Sequence, residues 1–143
     1  MVMAMLLTVA LQGQVVVEGG PPPKPVPKNA PAALPDTPQG RHVKAYLDAF
    51  NSGDETKFLK TQEDLMSPDT LAKRPAEQRA KMYARMRGDF STLKVLRAES
   101  TPEKIRVVVA DKEGNEAIFS FDFETKAPYK IKGLGVDIGN IQR

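Results

Sequence analysis

Asp122 stands between Phe121 and Phe123 in a stretch that alternates, with Ala117, Phe119, Phe121 and Phe123 set against Ile118, Ser120, Asp122 and Glu124. A carboxylate carried by a strand into an apolar cavity loses its hydration. Its pKa rises and it becomes a proton shuttle. The plainer expectation, and the one favoured, is that the Phe row turns to the core and Asp122 to solvent, as in any half-buried strand. Tyr46 and Tyr83 fall on apolar helical stripes, with Phe50 on the same stripe as Tyr46. Buried tyrosines usually pack and donate one hydrogen bond. Lining a pocket is their functional alternative, so Tyr46, Phe50, Tyr83 and Asp122 are the candidate binding residues. No residue is assigned a catalytic role.

Other chemistries fall away quickly. His42 is the only histidine and sits beside Arg41 and near Lys44, a surface setting; a general base needs a partner and a pocket. A single His and no Cys leave no zinc or iron–sulfur ligand set and no thiolate nucleophile, so no metal site is expected. The nucleophile elbow of serine hydrolases, G-x-S-x-G, is absent. Gly133-Leu134-Gly135 is not a dinucleotide fingerprint and precedes no helix; it reads as a bulge or as a close approach to the long helix. No cofactor is expected.

Hydrophobic residues make up 41% of the 143 and charged residues 27%, the composition of a globular chain. Setting aside residues 1–35, which hold Lys24, Lys28 and Glu18, leaves 19 basic and 17 acidic side chains. That is a mixed surface without the basic–aromatic array of a nucleic-acid binder. The densest charge lies between Lys57 and Arg87 and reads as solvated helix faces, with an anion-attracting rim as the alternative.

These residues must be positioned by whatever follows the N-terminal third. Residues 1–18 begin with an apolar run from Val2 to Leu11, of signal-peptide length and too short to span a bilayer. Thr8/Ala10 or Leu11/Gly13 would occupy the cleavage positions, although no Lys or Arg precedes the run. Export to the periplasm or medium is the expectation, with no membrane anchor after cleavage. A retained apolar tail or a buried strand, and a cytoplasmic protein, are the alternatives. Residues 19–35 (GGPPPKPVPKNAPAALP) are dense in proline, which fixes φ and removes the amide donor, so they read as a disordered, extended spacer.

From residue 36 to 143 the pattern is that of one α+β domain. Thr37-Pro38 is a helix start, and Val43, Tyr46, Leu47 and Phe50 form one stripe that Gly53 closes. Asp54 caps a second helix with Phe58 and Leu59, Ser67-Pro68-Asp69 restarts the chain, and Pro75 opens a helix with Met82, Tyr83 and Met86 that ends at Gly88. From Ser91 the period becomes two. Leu93, Val95 and Arg97 alternate with Lys94, Leu96 and Ala98, followed by strands over 105–110, 117–123 and 129–136 with a hairpin turn at residues 111–115 (DKEGN). Helices laid on one face of a four-stranded antiparallel meander is the expected architecture.

The segment Ala49-Phe50-Asn51-Ser52-Gly53-Asp54, with Tyr46-Leu47 before it, resembles the first helix of NTF2-like (cystatin-like, SnoaL-like) domains. Residues 34–41 (LPDTPQGR), 71–79 (LAKRPAEQR) and 131–135 (IKGLG) are similar to a bacterial subgroup found beside S41-type peptidases and β-lactamase-like serine hydrolases. The resemblance implies a cone in which a curved sheet wraps the long helix, often around an apolar pocket. It does not imply one function, because that fold hosts isomerases, cyclases and plain binding modules.

The function expected is therefore a non-catalytic module. It would bind a small apolar ligand or a partner protein such as a hydrolase, or would dimerise through its sheet. The alternative is a small SnoaL- or ketosteroid-isomerase-type lyase or isomerase, for which Asp122 with Tyr46 is the pair to nominate.

Overall fold

The computed structural model describes residues 25–138, so the leader and the first part of the proline-rich stretch lie outside the described residues. Four helices precede a four-stranded antiparallel sheet of order β1-β2-β3-β4. The helices are α1 (Pro38–Asn51), α2 (Glu55–Leu65), α3 (Pro68–Lys73) and α4 (Ala76–Phe90). The strands are β1 (Lys94–Thr101), β2 (Lys104–Ala110), β3 (Glu116–Phe123) and β4 (Ile131–Asp137). The α+β architecture is the one the residue pattern predicts.

The capping residues work as their chemistry dictates. The Thr37 hydroxyl accepts from the Gly40 amide, with Pro38 as the first helical residue. Between α1 and α2 each residue has a separate task. Asn51 exchanges two hydrogen bonds with the backbone of Leu93, 2.9 Å and 2.7 Å, and so fixes the end of α1 to the chain entering β1. Gly53 takes φ +76°, where a β-carbon would be strained, and the Asp54 carboxylate caps α2 by accepting from the Lys57 amide. The turn before β3 uses Gly114 at φ +88°.

The inner face of the sheet meets the helices in one apolar cluster. It joins Val43, Tyr46, Leu47 and Phe50 of α1 to Phe58 of α2, Tyr83 of α4 and the Phe row of β3. Three local expectations are corrected. The last long helix runs through Gly88 to Phe90, because Phe90 is itself buried and draws the final turn onto the core, and Met82 points outward at 37% exposure. In β1 a register shift between Val95 and Arg97 reverses the alternation, so Ala98 faces the core and Arg97 pairs with Val108 on the outer side. The last strand starts at Ile131, two residues later than its pattern suggests, behind a turn holding cis Ala127–Pro128 and Tyr129 at φ +62°.

Both sheet edges are partly covered. At β4 the Ser67 amide donates to the Ile131 carbonyl, 2.9 Å, beside a parallel bridge from Met66 to Ile131. At β1 the Ala98 amide donates to the Pro31 carbonyl, 2.8 Å. Residues 25–31, part of the stretch read as a spacer, therefore lie against the sheet. They can do so because carbonyl acceptance and side-chain burial need no amide donor from the prolines.

Candidate functional site

The four candidate residues divide between the two faces of the sheet. Tyr46, Phe50 and Tyr83 are buried on the inner side. The Tyr46 ring meets Phe58 and Phe121 edge-on at 5.2 and 5.4 Å, and Phe50 meets Tyr83 edge-on at 5.6 Å. Phe58 stacks on Tyr83 at 4.5 Å. Offset and edge-to-face contacts of this kind are the favoured aromatic geometries, so these rings fill the space between helices and sheet. The Tyr83 hydroxyl donates to the Phe50 carbonyl at 3.4 Å.

Asp122 is on the other face. Its side chain is 42% exposed and pairs with Lys104 at 2.9 Å across the β2–β3 register. The carboxylate lies over Gly133, where an added β-carbon would come within 3.0 Å of its Oδ2. Gly133 thus faces the outer side and leaves room for Asp122, and the expected approach of this glycine to the long helix is not formed. The bulge expected near the Gly133-Leu134-Gly135 stretch is present, since Asp122 pairs with Gly133 and Phe123 with Ile131, which leaves Lys132 over. The nominated pairing of Asp122 with Tyr46 is not made, because strand alternation puts them on opposite faces. His42 lies at the surface, its Nε2 2.8 Å from the Pro128 carbonyl oxygen.

A polar group that the residue pattern did not reveal sits beside the aromatic cluster. Gln62 and Arg79 are both buried, and Arg79 Nη1 donates to Gln62 Oε1 at 3.2 Å. Arg79 Nε donates to the Arg74 carbonyl at 2.9 Å, and Gln62 also bonds the Tyr46 side chain. Burial pushes the Tyr46 phenol well above its ordinary range, and the Gln62 hydrogen bond only partly offsets this. Arg79 is 8% exposed as a residue, and its guanidinium has no carboxylate within ion-pair distance among the described residues. The one available signal was spacing: Phe58, Gln62 and Leu65 share one face of α2, which makes Gln62 a core position despite its polarity.

Two open surface troughs have volumes of ≈360 and ≈420 Å³. Thr37, Gln39 and Pro102 line the first; Lys104, Asp122 and Lys132 line the second. Neither is lined by Tyr46, Phe50, Phe58 or Tyr83. No group of acidic or histidine side chains able to hold a metal occurs among the described residues, and no helix there is long and apolar enough to cross a membrane.

The outer face carries a second, smaller apolar cluster of Val26, Val108 and Ile118, with Ala30 and Leu96 packed against it. Arg97 donates from Nε to the Pro27 carbonyl and from Nη2 to the Val26 carbonyl, 3.1 and 3.3 Å. Arg106 donates to the Pro25 carbonyl at 3.4 Å while it pairs with Glu99 at 2.6 Å. The arrangement defines an α+β domain with a closed aromatic interior and an outer sheet face that holds residues 25–31, which include a turn closed by the Ala30 amide on the Pro27 carbonyl. Comparison with protein-family models, with curated proteins and with solved structures returns no match to this chain.

Proposed function

We propose that this chain is an exported, non-catalytic binding module of the NTF2-like kind, which engages a partner protein or a second copy of itself through the outer face of its sheet. The helix-then-meander order and the separate tasks of Asn51, Gly53 and Asp54 support the family likeness. The observation that carries the functional reading is the ring-on-ring packing of Tyr46, Phe50, Phe58 and Tyr83. It occupies the space a small apolar ligand would need. Gln62, Ser67 and Arg79 are the buried polar side chains among the described residues, and none is a carboxylate. The lack of a buried carboxylate beside Tyr46 among the described residues supports the binding reading over the isomerase alternative. A separately encoded hydrolase is the kind of partner the subgroup likeness suggests. The apolar run from Val2 to Leu11 supports export.

Two measurements on the full chain test this. N-phenyl-1-naphthylamine, a small apolar probe, is expected to show no saturable binding; stoichiometric uptake would overturn the reading. Ser120→Arg, a change on the outer face, is expected to abolish self-association in sedimentation velocity or capture of the hydrolase partner. Association indifferent to that change would remove the sheet face from the proposal. Mass spectrometry of the native protein checks export, and an intact Met1 would sink cleavage.

A further inference from the structure

The segment already seated on the outer face shows what that face recognises. Residues 25–31 read Pro-Val-Pro-Lys-Asn-Ala-Pro. Three prolines in seven give a segment poor in amide donors and rich in carbonyl acceptors, with a turn closed by the Ala30 amide on the Pro27 carbonyl, 3.1 Å, between Pro25–Pro27 and Pro31. The sheet supplies the converse. Arg106 donates to the carbonyl of Pro25, Arg97 to those of Val26 and Pro27, and the Ala98 amide to that of Pro31. Three consecutive carbonyls are read by two guanidinium groups. Hydrogen bonds from charged donors are stronger than neutral ones, and guanidinium is well suited to them.

One side chain gives the contact its selectivity. Val26 is 2% exposed, set against Val108 and Ile118 with Leu96 alongside, whereas Lys28 and Asn29 are exposed. The seat therefore encloses a small branched apolar side chain, while the flanking Pro25 and Pro27 are exposed and are held through their carbonyls. Its footprint is small: one buried side chain and four hydrogen bonds to carbonyls.

We propose that the Arg97–Arg106–Val108–Ile118 face is a recognition site for Pro-Val-Pro-type peptides of a partner chain. Residues 25–31 fill it in cis, and the partner segment binds by displacing them. The inference rests on the reading of the outer face as the interaction surface, and it names the chemistry of the partner. Tethering gives the cis segment an effective concentration of about the millimolar range, so a free peptide competes poorly until the tethered one is weakened.

The test uses the full chain and a fluorescein-labelled Pro-Val-Pro-Lys-Asn-Ala-Pro peptide, read by anisotropy. Val26→Asp places a charge in the apolar seat and is expected to release the cis segment. The substituted chain should then bind the peptide about tenfold or more tightly than the unsubstituted chain does. Arg97→Ala added to Val26→Asp should remove that binding. Exchange of the Ala98 amide reports release independently, and it should speed up in Val26→Asp while core amides of β3 stay protected. A folded Val26→Asp chain that ignores the peptide overturns the proposal, as does equal binding by both chains. Should Val26→Asp fail to fold, Arg97→Ala alone is expected to speed Ala98 exchange, and unchanged exchange overturns the proposal. Self-association of the Val26→Asp chain undisturbed by excess peptide would give the face to a second copy and also overturn it. Uptake of the naphthylamine probe, by contrast, would sink the broader functional reading while leaving these peptide results as they stand.

Discussion

The two faces of the sheet are closed by different means. On the inner face, strand positions of period two meet helix positions of period 3.6, and each large side chain is held from both sides. Phe121 is fully buried and touches both Tyr46 and Phe119. On the outer face two strand residues, Val108 and Ile118, are covered by Val26 from a segment with no repeating secondary structure. The inner closure is cooperative with the fold, while the outer closure is local. Burial alone does not separate the two, since Val26 and Val108 are as inaccessible as much of the core. What separates them is how many independent elements hold the contact.

The largest effect should come from breaking the inner face. Phe121→Ala is expected to cost about 3–5 kcal/mol by urea denaturation followed by far-UV circular dichroism, the range for a large aromatic deleted from a packed core. A cost near that of an exposed substitution would mean that the rings pack loosely and leave a ligand space after all.

The Gln62–Arg79 pair sharpens the same comparison, because it places a charge on the side where no carboxylate among the described residues pairs with it. Arg79→Ala leaves Gln62 Oε1 and the Arg74 carbonyl without their donor and should cost about 1–3 kcal/mol. Replacing both residues by apolar ones of similar shape, Gln62→Leu with Arg79→Met, should cost less than Arg79→Ala alone. A double substitution at least as costly would show that the pair stabilises the fold beyond satisfying itself.

Tyr46 extends the test to pH. Its folded pKa is raised by burial, so the phenolate is favoured in the unfolded chain. The stabilisation is present in full below the unfolded value, about 10, and is lost as pH rises from there toward the folded value. Tyr83 is shifted in the same direction, again by burial first. The urea midpoint should therefore fall more steeply between pH 9 and 11 in the wild type than in Tyr46→Phe, each compared with its own value at pH 8 (all about these settings). Parallel curves would mean that Tyr46 reaches solvent readily.

On the outer face the effect should be smaller and confined. Val26→Ala is expected to cost about 1 kcal/mol, the loss of two buried methyl groups from a contact that can collapse around the smaller side chain. Amide exchange should quicken at Ala98 and remain slow in β3. A global loss comparable to Phe121→Ala would make residues 25–31 part of the core and erase the distinction between the faces.

Much of the inner face was legible in the sequence because its signals are local. The stripe through Val43, Tyr46, Leu47 and Phe50, the Phe row of β3 and the caps at Thr37 and Asp54 each follow from neighbours a few residues away. What was not legible depends on distant partners. Alternation puts Arg97 on the face of Leu93 and Val95, whereas the bulge beside Val95 turns it to the opposite, outer side. Proline content marks 19–35 as unable to join a helix or central strand, but it is silent on whether carbonyls at 25–31 meet arginines some 70 positions later. Of the candidate site residues, the sequence placed Asp122 opposite the Phe row but could not name Lys104 as its partner.

That ion pair carries the smallest expected effect and the clearest bearing on catalysis. Asp122 and Lys104 are each nearly half exposed, so water and salt screen their attraction. Asp122→Asn should cost less than about 1 kcal/mol, and most of that cost should disappear at high ionic strength. Gly133→Ala makes a sharper version. Its new β-carbon would press on the Asp122 carboxylate, a flexible terminus that can swing away, so the change should weaken the pair without disturbing β4. Together the two substitutions separate a surface contact from a buried acid. A surface contact predicts small, salt-sensitive and mutually redundant losses, because each change removes the same interaction. A large, salt-insensitive loss in Asp122→Asn would mean a desolvated carboxylate, and it would return Asp122 to the list of groups able to move a proton.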